Sequence, residues 1–409
     1  TAADGGGAVR VVTQERPTAT AIEDVALLLV LLAAYRRHES PNAFLRLLGE
    51  SSADAPHLQA LAHISRRVLE RCMYPVNEES TTTSYLGAGW SHSFARYAEW
   101  AAHTLTLEAY LPTSITSQLS SPQALRANAA PLTVALLIAY ELAMTGNGST
   151  LAALSAQQDV RLPGTAVSDA SPKRGALLRH VFSISSLLAC DARDELLVAQ
   201  LRLTLLIIER ALEGAHSAPL LLSADLGGNL PLWTFDSVHC VEHALPSPQP
   251  LLAGGYTLIA ALLVQNLRRA TFHPPLYLQA LTLLHKLLVA QHRASQSLPL
   301  LKWSAVWEAL FTTADFIAQD DVFPKRGVAE VGLRVLELIN LLIALGDSLL
   351  PSASVFEGFA YELVRRHRTF EKLYRVAKKA APFLVEAMSL TRSMIVQSLE
   401  AMKRMDDEK

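Results

Sequence analysis

Cysteine is scarce: Cys72, Cys190 and Cys240 are the three thiols in 409 residues, odd in number and far apart. That pattern excludes a disulfide framework and fits buried or incidental thiols in a reducing compartment, so a cytosolic setting is expected. Long apolar runs are missing as well. The longest, Val25–Ala34 and Leu132–Tyr140, fall well short of the ~18–20 residues that a bilayer span needs, and no transmembrane helix is expected. Charged residues make up 18% and the formal net charge is −2, with basic residues dispersed except in one segment. Nothing in that balance suggests a nucleic-acid partner. The opening stretch, Thr1 followed by Gly5, Gly6 and Gly7, has no basic start leading into an apolar run; it reads as a cut or flexible end, not a signal peptide.

What the chain has is Leu and Ala. Half of its residues are apolar while aromatics are 7%, so the apolar content favours helix over strand. Apolar stretches of helical length recur, each closed by Pro, Gly or Ser. The helices expected are Ala21–His38, His57–Met73, Phe94–Leu111, Leu132–Thr145, Lys173–Ala189, Arg193–Glu213, Phe235–Leu245, Leu251–Ala270, Leu276–His292, Lys302–Gln319, Arg326–Leu345, Ser354–Ala381 and Phe383–Met405. In Leu276–His292 the residues Ala280, Leu281, Leu284, Leu287 and Leu288 line one face. Leu196–Ile208 is apolar nearly all round and must be sandwiched between neighbours.

No alternating strand set, βαβ rhythm or strict repeat period appears. Irregular helix pairs of the armadillo or HEAT kind tolerate such degeneracy. The fold expected is therefore all-α, a right-handed superhelix of stacked helix pairs, in which neighbours form one core and leave a long surface open. The division expected is a disordered end at 1–20, an amino-terminal helical block at 21–145, a flexible loop at 146–172, and a carboxyl-terminal armadillo-like block at 173–409. A second polar loop is expected at Asn77–Ser93.

Four segments carry a family resemblance: Leu276-Tyr277 with Leu283-Leu284-His285-Lys286-Leu287-Leu288; Trp303-Ser304-Ala305-Val306-Trp307-Glu308-Ala309-Leu310; Leu345-Gly346-Asp347-Ser348-Leu349-Leu350-Pro351-Ser352; and Tyr361-Glu362 with His367-Arg368-Thr369-Phe370-Glu371-Lys372-Leu373-Tyr374. In order and spacing they are similar to the carboxyl-terminal region of the armadillo-like helical domain-containing protein 3 family. The resemblance implies a non-enzymatic, cytosolic scaffold peripherally associated with the Golgi. It also implies a Golgi phosphatidylinositol 4-kinase and a large Arf guanine-nucleotide exchange factor as partners, in Golgi upkeep and secretion. No catalytic residue, cofactor or metal follows from it.

Against that stands His239-Cys240-Val241-Glu242-His243, which satisfies the inverted zinc-protease pattern H-x-x-E-H. On a helix, His239 and His243 stand one turn apart and can share a zinc, with Glu242 as base. Such a site needs a third ligand, Glu308 or Glu330. The segment is short and hemmed by Pro231, Pro246, Pro248 and Pro250. The structural reading is preferred, and a zinc-dependent hydrolase is the alternative function. Gly87-Ala88-Gly89-Trp90-Ser91 lacks the preceding buried strand that a phosphate loop or serine elbow requires, and reads as a loop.

Two further patterns bear on binding. Trp303 and Trp307 share a helix face, continued by Phe311; the row is read as core, with a partner pocket as the alternative. On Ser354–Ala381 the residues Phe356, Ala360, Leu363, His367, Phe370, Tyr374 and Ala377 form an apolar stripe, and Arg365, Arg368, Lys372, Arg375 and Lys379 gather roughly opposite. That basic face is either solvated or a contact for an acidic partner or an anionic membrane, each cation near a charged bilayer contributing ~1 kcal/mol.

Overall fold

The computed structural model describes residues 28, 56–73, 125–126, 129–145, 176–190, 192–214 and 218–407, the last with short gaps at 224–226, 237–238, 247, 268–271 and 381. Apart from Leu28, the expected helices Ala21–His38 and Phe94–Leu111, the glycine-rich motif at 87–91, the end at 1–20 and the two polar loops lie outside the described residues.

Helices dominate. In chain order they are α1 (Pro56–Met73), α2 (Ala129–Thr145), α3 (Leu177–Cys190), α4 (Glu195–Glu213) and the short α5 (Ala218–Leu222). After a β-hairpin follow α6 (Leu251–Gln265), α7 (Pro274–Arg293), α8 (Trp303–Ile317), α9 (Val328–Leu349), α10 (Ala353–Arg365), α11 (His367–Ala380), α12 (Pro382–Ala387) and α13 (Ser389–Asp407). Their ends follow local chemistry. Asp194 caps α4 by accepting the Leu196 amide at 2.8 Å, satisfying one of the amides that a helix start leaves open. Pro274 and Pro275 open α7, where a missing amide donor is harmless, and His292 and Arg293 sit at its negative end.

The packing has two layers. In one, α1 lies on α3, α3 on α6, α6 on α8 and α8 on α11; in the other, α2 lies on α4, α4 on α7, α7 on α9 and α9 on α12. Each helix therefore rests on the equivalent helix of the next pair, as expected when no single pair can hide its apolar face alone. One continuous core results, running from Leu58 of α1 to Ile395 of α13. The helix α4, sandwiched between α2 and α7, buries Leu197, Leu201, Leu205 and Ile208.

Polar side chains tie the layers at fixed points. Gln200 of α4 donates to Ala129 O and Thr133 Oγ1 of α2, both at 2.8 Å. Lys286 of α7 pairs with Glu209 and Glu213 of α4. Tyr256 of α6 donates to Gln291 Oε1 of α7 at 2.8 Å, and Gln291 Nε2 donates to Leu349 O of α9 at 2.8 Å. All three of these residues are buried, so the chain fixes how α6, α7 and α9 meet.

Two expectations need correction. The segment expected as a helix at Phe235–Leu245 is part of a hairpin, β1 (Pro231–Asp236) antiparallel to β2 (His239–Ala244), with Trp233 opposite Glu242 and Leu232 opposite His243. Leu232 and Trp233 are both buried. The Trp233 amide donates to Ser186 Oγ of α3 at 2.8 Å, and the Leu245 amide to Leu230 O at 2.8 Å. These anchors pin extended backbone against the stack. The second correction concerns Ser354–Ala381, which breaks at Arg366 into α10 and α11. Arg366 leaves helical register where its side chain turns toward α8.

Candidate docking surface

On α11 the buried residues are Phe370, Leu373 and Ala377, spaced three and four apart. At ~100° per residue, Arg368, Lys372 and Arg375 fall within an arc of about 60° on the far side. All three are exposed. The stack holds this orientation through aromatic contacts with α8: Phe311 meets Phe370 edge-on at 6.1 Å and stacks on Phe359 of α10 at 5.9 Å. Part of the apolar face of α11 is thus taken up by α8, and its basic side is left to solvent.

The five basic residues expected to act together do not have equal standing. Arg365 belongs to α10 and donates Nε and Nη2 to Glu362 Oε2 at 2.9 and 2.7 Å, so its charge is matched on its own helix. The Lys379 side chain lies outside the described residues. Arg368, Lys372 and Arg375 have no carboxylate within ion-pair distance among the described residues. The exposed Glu371 flanks them on the same helix. Arg366, the inward-turned neighbour, sits 3.2 Å from Asp315 and 3.9 Å from Glu308. The working site is therefore a ridge of three cations.

One cation near this surface escaped the sequence reading. Arg392 of α13 is exposed and lies over the Tyr374 ring at 4.1 Å from its centroid, a cation–π contact. No helical spacing links residues on separate helices, so only the packing reveals it.

Trp303 and Trp307 are buried, at 3% and 5% exposure. Trp303 tilts against Tyr256 at 5.2 Å and donates Nε1 to Leu298 O at 3.3 Å, and Trp307 lies 5.8 Å from Phe359. As docking residues they are corrected: both indoles belong to the interior. The zinc alternative loses its geometric premise. His239 and His243 lie on an extended strand, where four residues span ~13 Å and Glu242 points to the opposite face. Among the described residues no group of three or more His, Cys, Asp or Glu side chains could hold a metal ion.

A second polar constellation ties α1 to α3. His180 Nε2 stands 3.1 Å from Glu70 Oε1, and its Nδ1 is 3.0 Å from Ala176 O. Burial pushes the Glu70 carboxyl up, but the His180 hydrogen bond and charge, with Arg66 and Arg67, outweigh it and leave Glu70 below its ordinary value. The histidine is already engaged on both nitrogens, so this pair is a structural tie and offers no open catalytic base.

Residues 254–405, from α6 into α13, match the family model described as Armadillo-like helical domain-containing protein 3, C-terminal. The chain is 24% identical to the Danio rerio protein of that name over 403 residues, 91% of this chain and 56% of the relative. It is 23% identical to the Xenopus laevis protein over 392 residues, again 91% and 56%. Against the Homo sapiens protein it is 24% identical over 236 residues, 56% of this chain and 34% of the relative. The chain spans about half the length of the Danio rerio and Xenopus laevis relatives. No solved structure matches it.

Proposed function

We propose that the chain, whose residues 254–405 match the model of the armadillo-like helical domain-containing protein 3 carboxyl-terminal region, is a non-enzymatic adaptor at Golgi membranes. It holds protein partners for secretory traffic, a phosphatidylinositol 4-kinase and an Arf guanine-nucleotide exchange factor among them. It works from the cytosolic side as a peripheral component. The observation that carries the reading is the ridge of Arg368, Lys372 and Arg375, three exposed cations without carboxylate partners among the described residues, on a helix whose apolar face is already buried. A two-layer helical stack offers extended surface and rigid spacing, which suits docking. Charge of one sign on such a surface steers an oppositely charged partner and sets its register.

The same ridge supports a second contact, with an anionic bilayer. Three cations within one arc are worth about 3 kcal/mol against a charged leaflet, at ~1 kcal/mol each. The test is affinity purification of the tagged chain and of its Arg368→Glu, Lys372→Glu, Arg375→Glu variant, scored for kinase and exchange-factor peptides. Recovery by the parent and loss by the variant is the expected result. Equal recovery by both removes the ridge from the account, and recovery of neither partner by the parent removes the Golgi assignment.

A further inference from the structure

Beside the ridge, α11 and α13 enclose a groove. The helix α13 packs on α9 and α10, and a cavity of about 290 Å³ remains between it and α11. Phe370 and Ile395 are buried along it at 1% and 6% exposure, Tyr374 is half-buried and Val396 is 48% exposed. Arg375 and Arg392 also line it, with Glu371 the one carboxylate among its lining residues. Small-molecule sites occupy roughly 300–1,000 Å³, so this groove lies at their lower limit and fits one bulky side chain.

We propose that this groove takes an amphipathic helix from a partner protein, with one large aliphatic or aromatic side chain seated between Tyr374 and Val396 and carboxylates reaching Arg375 and Arg392. The charge argues for the acidic flank: Arg375 and Arg392 have no carboxylate partner among the described residues, and the ridge cations Arg368 and Lys372 extend the same field along α11. Next to Glu371 the docked helix carries a neutral or basic residue. The shape argues for a side chain and against acyl chains. A bilayer receives protruding apolar groups, whereas here the apolar floor of Phe370 and Ile395 is recessed. Helix-in-groove recognition of this kind is read as an anchor residue with flanking contacts. The Arg392 guanidinium, held over Tyr374, is preoriented for a carboxylate and loses little freedom on binding.

The inference deepens the adaptor reading and rests on it. It is tested on the full chain by fluorescence anisotropy with a labelled synthetic helical peptide carrying one phenylalanine flanked by glutamates. Companion peptides replace the glutamates by glutamine or the phenylalanine by alanine. The parent peptide binds, and each companion binds at least about tenfold more weakly. Arg392→Glu and Val396→Glu weaken the parent peptide by a similar factor while Lys302→Glu, exposed on α8's amino-terminal side, leaves it unchanged; melting curves confirm that the variants fold. Absence of binding by the parent peptide or equal binding by the companions overturns the proposal. Partner capture by the tagged chain is measured in parallel. Capture that survives Arg392→Glu removes the groove and leaves the adaptor, whereas no capture by the parent chain removes both.

Discussion

Arg366 at the break between α10 and α11 sits 3.2 Å from Asp315 of α8. The arginine that turns inward finds a carboxylate, while Arg368, two residues on, is exposed and meets none among the described residues. Asp315 also accepts the Thr369 hydroxyl. Asp315→Asn keeps an acceptor for Thr369 and removes the charge. The expected loss is about 1 kcal/mol in chemical denaturation, because the pair is partly exposed and screened, with partner binding at the ridge unchanged.

Trp307 tests the interior assignment. Its indole is buried against Phe359, so Trp307→Ala leaves a cavity between α8 and α10 and is expected to cost about 3–5 kcal/mol. A normal melting curve with lost binding would return Trp307 to the surface.

Gln291 links three helices. Gln291→Leu strands the Tyr256 hydroxyl and the Leu349 carbonyl in the core, with an expected loss of about 1–3 kcal/mol. Tyr256→Phe removes one donor and leaves the bond to Leu349 intact. Its cost is expected to be the smaller of the two, read from denaturant midpoints.

The contact between Glu70 and His180 makes stability depend on pH. Glu70 titrates below its ordinary value of 4.5 in the folded chain. Its contribution is therefore fully present above that unfolded value and is lost as pH falls through the folded one. Comparing the chain with Glu70→Gln, the difference in denaturation midpoint is expected to be constant near neutrality and to shrink below about 4.5. A difference that grows on acidification contradicts the assignment.

The hairpin gives a metal test. Because His239 and His243 lie on extended backbone, chelator treatment is expected to leave the melting temperature unchanged, and His243→Ala to change stability by less than about 0.5 kcal/mol, as for an exposed surface position. Stoichiometric zinc in the purified chain would contradict this.

Much of the helical content was legible in the sequence because apolar spacing and proline punctuation agree. The helix expected at Leu276–His292 runs Pro274–Arg293, and that at Lys302–Gln319 runs Trp303–Ile317. The hairpin was not legible in the same way. Its apolar residues Leu232 and Trp233 are buried, its first strand packs on α3, and the Trp233 amide donates to the Ser186 hydroxyl across 47 residues; tertiary packing overrode the helical reading. The split at Arg366 has no proline or glycine to mark it, and the ion pair that Arg366 makes there is with Asp315 on another helix. That split also shifts the buried stripe, since Phe359 and Leu373 are buried while His367 and Tyr374 are half-buried. Of the candidate site, the facing of Arg368, Lys372 and Arg375 followed from helical period alone. The neutralisation of Arg365, the burial of the two tryptophans and the arrival of Arg392 depended on neighbours that no local pattern encodes.

The most direct test of the account is sedimentation of the chain with phosphoinositide-containing liposomes loaded with captured partner, across a salt series, for the parent and the Arg368→Glu, Lys372→Glu, Arg375→Glu variant. The account predicts equal melting for the two proteins, salt-sensitive association for the parent and weak association for the variant. Association of equal strength in both, independent of salt, would contradict a ridge that works by its unmatched charge.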